Sequence, residues 1–291
     1  MPPSVAVVTD STAYLNAEEA AKHGVIVVPL RVSAGGDELD DVVPPDGADL
    51  ARTLRERSPV TTSRPAPAAF AEAYRTAAGR GATGVVSVHL SGEMSGTADS
   101  ARLAAQDAPV PVEVIDSRSI AMGLGFAVLA AARVAATGAS IRDVALTAER
   151  RARASRTFFY VDTLDYLRRG GRIGTVTNLV GTALSIKPLM HLGDGTITLL
   201  EKVRTAGRAI ARLEELAVRA AGDGPVEAAV QHLAAAPRAH QVAEALAARL
   251  PGLERVVVGE VGPVLGAHTG PGMLGVTISP IRPSDADTDR Q

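Results

Sequence analysis

Short β-branched runs alternate with Ala-rich helical runs through the first half of the chain. Residues 5–8 form a strand pattern, ended by the turn and cap residues Thr9-Asp10-Ser11-Thr12. Asn16 stands three residues before Glu19, a capping-box-like helix start, and Gly24 supplies the stop. The apolar run 25–32 contains Pro29, which points to a sheet edge or an early strand end. Gly35-Gly36 and Pro44-Pro45 punctuate a long connection, and a helix is predicted over 48–57. Residues 60–67 read as an extended polar loop opening a helix over 68–78. A buried strand follows at 84–90, then a small-residue loop at 91–96 and a helix beginning near Thr97. A strand at 112–115 leads into two helices, 119–136 and 141–153. Repeated strand, loop and helix predict a parallel sheet covered by helices on both faces.

The second half has a different pattern. A strand at 158–161 precedes a short helix at 164–167, stopped by Arg168-Arg169-Gly170-Gly171. Apolar runs at 184–191 and 196–203 flank Asp194-Gly195, a strong hairpin signal. A helix (206–221), a strand (226–231), a helix (237–250) and strands at 253–258 and 274–278 complete the order. The hairpin makes this sheet mixed. The change of pattern places a boundary near Ser155. Residues 1–155 are expected to form a parallel-sheet α/β/α domain, 156–282 a smaller mixed-sheet α/β domain, and 283–291 a mobile polar tail.

Composition narrows the function classes. With 46% hydrophobic and 21% charged residues, the 291-residue chain belongs among soluble globular proteins. Thirty basic against 32 acidic residues leave a net charge of -2, which argues against nucleic acid as a partner. Aromatics are 3% and tryptophan is absent, so base-stacking platforms are not expected and cores must be built from Ala, Val, Leu and Ile. The absence of cysteine removes disulfides and thiolate chemistry. Met1-Pro2-Pro3-Ser4 lacks the basic-then-apolar order of a signal peptide. The apolar stretch 120–136 is interrupted by Arg133 and too short to span a bilayer. A cytoplasmic location without stable membrane insertion is the resulting expectation.

Generic catalytic motifs fail in context. Gly270-Pro271-Gly272-Met273-Leu274-Gly275 matches G-x-G-x-x-G but precedes a final strand instead of opening a helix. Gly92-Glu93-Met94-Ser95-Gly96 carries its serine one place late for a hydrolase elbow. No P-loop and no paired histidines at metal-ligand spacing are present. What remains is polar loops after strands. Thr61-Thr62-Ser63, Ser91-Gly92 and Ser95-Gly96-Thr97 precede helices, whose unpaired N–H groups and positive dipole ends suit an anion. Hydroxyls at Thr62, Ser91 and Ser95 add donors without adding charge, although Ser and Thr serve equally as ordinary caps. His268 stands among glycines in Gly266-Ala267-His268-Thr269-Gly270, read as a loop closely approached by something else. Arg168-Arg169-Gly170-Gly171-Arg172 is the densest basic cluster, with Lys202 and Arg204 forming a second. Guanidinium groups there can bind a carboxylate or phosphate, or simply solvate a helix end.

In order along the chain, five segments occur together. They are Val7-Val8-Thr9-Asp10-Ser11-Thr12, Thr62-Ser63-Arg64-Pro65, the 91–97 loop, Tyr166-Leu167-Arg168-Arg169-Gly170-Gly171-Arg172-Ile173 and His268-Thr269-Gly270-Pro271-Gly272. This combination resembles the DegV family of bacterial fatty-acid-binding proteins. The resemblance implies two α/β domains with one long-chain fatty acid as ligand, its acyl chain in a buried tunnel and its carboxylate at the domain cleft. It implies that Thr62, Ser63, Ser91, Ser95, Gly96, His268 and Thr269 hold the ligand. It further implies that Arg172 and Arg204 present the head group to a partner, an ATP-dependent fatty acid kinase that makes the acyl phosphate. The chain itself would then be a non-catalytic subunit without cofactor or metal. Two positions depart from the family pattern. Arg64 stands where the family often has Gln, and Ala98 where it often has an aromatic residue. On the residues alone, a Ser/His acyl hydrolase or transferase using Ser91 or Ser95 with His268 stays open, as does a lipid sensor without a kinase.

Overall fold

The computed structural model describes residues 4–34, 37–41, 47–56, 60–172 and 186–281. The paired glycines at 35–36, the paired prolines at 44–45, Ile173, the first residues of the predicted hairpin from 184 and the 283–291 tail lie outside the described residues. In chain order the elements are β1 (Val5–Asp10), α1 (Ala17–Lys22), β2 (Ile26–Val28), β3 (Arg31–Ala34), β4 (Asp37–Asp40), α2 (Gly47–Arg55), β5 (Val60–Ser63), α3 (Pro67–Gly79), β6 (Gly84–His89), α4 (Thr97–Ala105), β7 (Val112–Asp116), α5 (Met122–Ala136), α6 (Ile141–Ala154), β8 (Arg156–Tyr160), α7 (Asp165–Gly170), β9 (Lys187–Gly193), β10 (Thr196–Val203), α8 (Ala206–Ala221), β11 (Val226–His232), α9 (Ala236–Arg249), β12 (Leu253–Glu260), α10 (Pro263–Thr269) and β13 (Leu274–Pro280).

The chain divides into two compact units. The first contains Met1–Arg31, Ser63–Ala154 and Ile281–Gln291, and the second Val32–Thr62 and Ser155–Pro280. In the first unit the strands run β2-β1-β6-β7, and every described pairing is parallel. Val8 and Val85 pack with Phe70, Ala73, Tyr74 and Ala77 of α3 and with Ala101 and Ala104 of α4. Val7 and Val86 point the other way and are buried too, and α5 and α6 pack on the same sheet. Because both faces are covered, β6 is buried at all six positions, the continuous apolar pattern of a central parallel strand. Residues 122–132 of α5 are all buried, which explains its apolar character without a membrane. Among the described residues no helix is long and apolar enough to cross a bilayer. Helix α1 starts as its sequence predicts: Asn16 Oδ1 accepts from Glu19 N at 2.7 Å.

In the second unit a six-stranded sheet runs β10-β9-β8-β13-β11-β12. Only β11 and β12 pair in parallel, so the sheet is mixed. One face is closed by α8 and α9, whose Leu213, Ala217, Val242 and Leu246 pack on Tyr160, Leu189, Val230 and Val276. The β9–β10 hairpin turns at Asp194 and Gly195, both at positive φ (48° and 81°), the geometry of the favoured two-residue turn.

Residues 60–63 are not a loop but strand β5, which joins a three-stranded sheet in the order β4-β3-β5. Segment 32–62 therefore belongs to the second unit, not to a continuous 1–155 domain, and the second unit is not the smaller one. The reason is packing that alternation cannot reveal. The Asp41 carboxyl accepts from Val264 N at 2.9 Å, Tyr166 Oη donates to Leu54 O at 3.2 Å, and Gly266 lies against Leu50 and Leu54. Pro29 does interrupt its apolar run. Strand β2 edges the parallel sheet, and β3 departs to the three-stranded one.

Asn16→Ala should lower stability by about 1 kcal/mol, the usual cost of removing an N-cap acceptor. Urea denaturation of the two proteins measures it.

Candidate functional site

Helices α7 and α10 and strand β5 bring three sequence motifs of the second unit together. His268 does not stand in a loop. It occupies the last turn of α10, a helix entered through Pro263 at its first position and left through Gly270 at φ 76°. The Asp41 carboxyl at Val264 N fixes the start of this helix. Its end then carries His268 to Thr62 on β5, where Thr62 Oγ1 and His268 Nε2 stand 2.9 Å apart. The other side of the ring meets α7. A Cβ on Gly170 would fall 2.1 Å from His268 Nδ1, so only glycine lets α7 approach this closely.

These residues line a cavity of about 390 Å³, together with Leu54, Val60, Thr61, Tyr166, Arg169, Arg172 and Ala267. Arg169 stacks on Tyr166, with its guanidinium carbon 4.7 Å from the ring centre. Arg172 donates to Gly170 O. The wall thus combines apolar side chains with one neutral imidazole–hydroxyl pair and two guanidinium groups.

Burial, aided by the positive charge of Arg172, pushes the His268 pKa down to about 4. The ring is therefore neutral at neutral pH. Nδ1 is buried and has no hydrogen-bond partner among the described residues. An orphaned N–H is rarer in proteins than an under-used acceptor, which favours the tautomer with hydrogen on Nε2. His268 then donates to Thr62 Oγ1, and the Thr62 hydroxyl hydrogen is left to donate to a ligand oxygen. This is an acceptor-seeking site, suited to a carboxylate. Among the described residues no group of three or more His, Asp or Glu side chains could hold a metal ion.

The serine loop belongs to the first unit. It leaves β6 at Leu90 and enters α4 at Gly96, which caps the helix without a side-chain hydrogen bond. Ser91 is fully buried. Its N–H donates to Ser119 O at 2.8 Å, its carbonyl accepts from Met94 and Ser95, and its hydroxyl accepts from Glu93 N at 3.3 Å. Ser95 is partly buried and shares a 2.9 Å hydrogen bond with Thr97 Oγ1. Arg64 lies directly over Gly96: a Cβ there would fall 2.0 Å from one guanidinium nitrogen. Among the described residues Arg64 has no hydrogen bond or ion pair, so its charge is available beside the loop.

The remaining predicted residues separate. Ser63 is exposed at the end of β5. Thr269 is buried, and its hydroxyl donates to Leu265 O within its own helix at 2.9 Å. Arg172 lines the cavity, whereas Arg204 is exposed in the bend between β10 and α8 and does not. Sequence reasoning missed Tyr166 and Arg169 as a stacked pair in the wall, although both belong to the motif at 166–173. It also missed the fully buried His89 and the convergence of bonds on Asp10.

A parallel-sheet unit joined to a mixed-sheet unit in this order is the fold of solved DegV proteins. A DegV family protein from Thermus thermophilus, described by its fatty acid binding, superimposes with a TM-score of 0.88 at 34% identity, over 96% of this chain and 100% of that one. DegV from Bacillus subtilis, described as a fatty acid binding protein, gives 0.87 at 31% identity over 96% and 100%. The sequence pattern of the family described as "Uncharacterised protein, DegV family" matches residues 4–280. The DegV domain-containing protein SCO2569 of Streptomyces coelicolor is 55% identical over 275 residues, 94% of this chain and 98% of that one. The chain belongs to the DegV family.

Gly170→Ala should displace the His268 ring and cost about 1–3 kcal/mol, as overpacking does. The thermal midpoint and the imidazole NMR shifts report both effects. The depressed His268 pKa also sets a pH window. Its contribution to stability is complete above pH 6.5 and is lost as pH falls toward about 4, because the unfolded chain takes up the proton first. The loss is at most about 3 kcal/mol. His232, also lowered by burial, adds a loss of the same sign. Denaturation of wild type and His268→Gln at several pH values isolates the His268 part as the difference.

Proposed function

We propose that this protein binds a long-chain fatty acid and presents its carboxylate to a partner ATP-dependent fatty acid kinase, which forms the acyl phosphate. The observation that carries the reading is the Thr62–His268 pair, 2.9 Å apart in the cavity wall, which with hydrogen on Nε2 leaves the threonine hydroxyl hydrogen to donate. The fatty acid binding described for the Thermus and Bacillus relatives supports it. In this proposal the serine loop, with Ser91, Ser95 and Gly96, shares in holding the head group. Arg172 and Arg204 serve presentation to the kinase, and the protein acts as a cytoplasmic carrier without a catalytic residue or cofactor of its own.

The energetics assign different jobs to the two ends of such a ligand. Burying one methylene contributes about 0.8 kcal/mol, so the 14 methylenes of palmitate contribute about 11 kcal/mol before association costs. A hydrogen bond to a charged head group contributes about 1.5–3 kcal/mol. The tail sets affinity, and the head-group residues set direction and reactivity. A neutral His268 suits this role. It orders the Thr62 hydroxyl without burying a fixed cation, and the carboxylate keeps its charge for attack on a phosphoryl group. A hydrolase would need an acid to orient the histidine through Nδ1. His268 Nδ1 has no such partner among the described residues.

Delipidated protein incubated with palmitate or oleate should retain one long-chain acid in native mass spectrometry. Retention of none refutes the reading, and retention without acyl phosphate formation by kinase and ATP leaves a lipid sensor. Replacing palmitate by dodecanoate removes four methylenes and should weaken binding by about 3 kcal/mol. His268→Ala should weaken binding less than this, while reducing kinase-coupled turnover more than lipid retention. Titration calorimetry and a coupled turnover assay make the comparison.

A further inference from the structure

In the first unit a row of polar side chains runs through the core without an exposed member. Asp10, His89, Ser87 and Tyr74 are each 0% exposed. Tyr74 Oη donates to Ser87 Oγ at 3.0 Å, Ser87 Oγ and His89 Nε2 stand 2.7 Å apart, and His89 Nδ1 lies 3.1 Å from Asp10 Oδ2. With hydrogen on Nδ1, every member is satisfied in one direction: tyrosine to serine, serine to histidine, histidine to aspartate. Burial pushes the Tyr74 pKa up to about 12, against the opposing pull of the Ser87 hydrogen bond, so the phenol stays a donor. Serine, histidine and aspartate in series suggest a nucleophile. Yet no atom of the row meets solvent, and the serine oxygen is flanked by tyrosine and histidine. A substrate has no route to it.

The row ends instead on a backbone. Besides His89, Asp10 Oδ2 accepts from Leu90 N at 3.0 Å, and Leu90 immediately precedes Ser91. Asp10 Oδ1 accepts from Thr12 N at 3.0 Å and Thr12 Oγ1 at 2.5 Å. Thr12 O in turn accepts from Ala121 N, where the chain turns into α5 at an unusual φ of 58°. One carboxyl group therefore ties the end of β1, the exit of β6 and the entry of α5. Such a buried polar group is costly unless fully bonded, and a fully bonded one restricts the backbone to a single arrangement.

We propose that Asp10 is a positioning residue that sets the conformation of the serine loop through Leu90, with His89 holding its carboxyl group in place. Asp10 acts through backbone and touches no ligand. The consequence for fatty acid binding rests on the head-group role given to that loop above.

The test uses the full chain and hydrogen–deuterium exchange without ligand. Asp10→Asn turns an amide toward a backbone donor and should speed exchange at residues 90–96 about tenfold, the opening of a local segment. It should also weaken palmitate binding about tenfold, roughly one hydrogen bond. Two histidine variants keep the question decidable if Asp10→Asn does not fold. Asparagine places an amide nitrogen near the position of Nδ1 and glutamine near that of Nε2. His89→Asn should therefore keep slow exchange at 90–96, and His89→Gln should lose it. Wild-type exchange in Asp10→Asn, or identical exchange in the two histidine variants, overturns the proposal and leaves only a core polar cluster. If wild-type protein binds no palmitate, the fatty acid reading fails, while the exchange results still decide the role of Asp10.

Discussion

A single 2.9 Å hydrogen bond, between Thr62 and His268, joins positions 206 residues apart and defines the cavity wall of the second unit. Much of that unit's local architecture serves to make the contact possible. Segment 32–62 must leave the parallel sheet, add β5 to the three-stranded sheet and carry Thr62 with it. Helix α10 must begin at the Asp41 carboxyl to end with His268 facing β5. Helix α7 must approach so closely that Gly170 has no space for a side chain. Each condition concerns backbone position, and none alone would mark the residues as functional.

The chemistry follows from what surrounds the imidazole. Burial and the charge of Arg172 keep the ring neutral, and Nδ1, without a hydrogen-bond partner among the described residues, favours the ring hydrogen on Nε2. In that tautomer the Thr62 hydroxyl accepts from the ring and keeps its own hydrogen to donate. A neutral donor pair restrains a carboxylate without quenching its nucleophilicity, whereas a buried fixed cation would hold it more tightly and make it less reactive. The stacked Arg169 and Tyr166 confine one guanidinium, leaving the wall positive but not crowded.

The first unit solves a related problem by different means. Its serine loop is made mostly of small residues, and its backbone must be held where it leaves β6. The fully buried Asp10 carboxyl, held by the His89 ring, supplies that restraint at the Leu90 N–H, and the Asp116 carboxyl accepts from Gly92 N at 3.1 Å further along. Arg64 lies on the glycine at the loop's end, where a larger residue would displace it. Both units thus use glycine where a side chain must approach backbone, and a buried polar group where a backbone must be held.

Most of the regular structure was legible in the sequence because it rests on local periodicity. The Asn16 cap, the buried strand β6, the apolar helix α5 and the Asp-Gly hairpin follow from turn chemistry and burial of neighbouring residues. The motif order was legible too, and it pointed to the family that the relatives establish. Strand β5 was read as a loop because Val60-Thr61-Thr62-Ser63 has too few apolar positions to show alternation, and its strand character comes from its place in the three-stranded sheet. Helix α10 was read as a loop although Pro263 and Gly270 marked its ends, because seven residues with two glycines just beyond give little helical period. His89 was not marked by its neighbours: Ser87 two residues before it is an ordinary strand residue, and its other partner, Asp10, stands 79 residues away on β1. The sequence by itself determined most of the helices and strands, with β5 and α10 as exceptions, since those it determined depend on neighbours within a few positions. Only the tertiary structure decided that Thr62 meets His268 and that Asp10 holds the serine loop, since those bonds depend on the packing of segments distant along the chain.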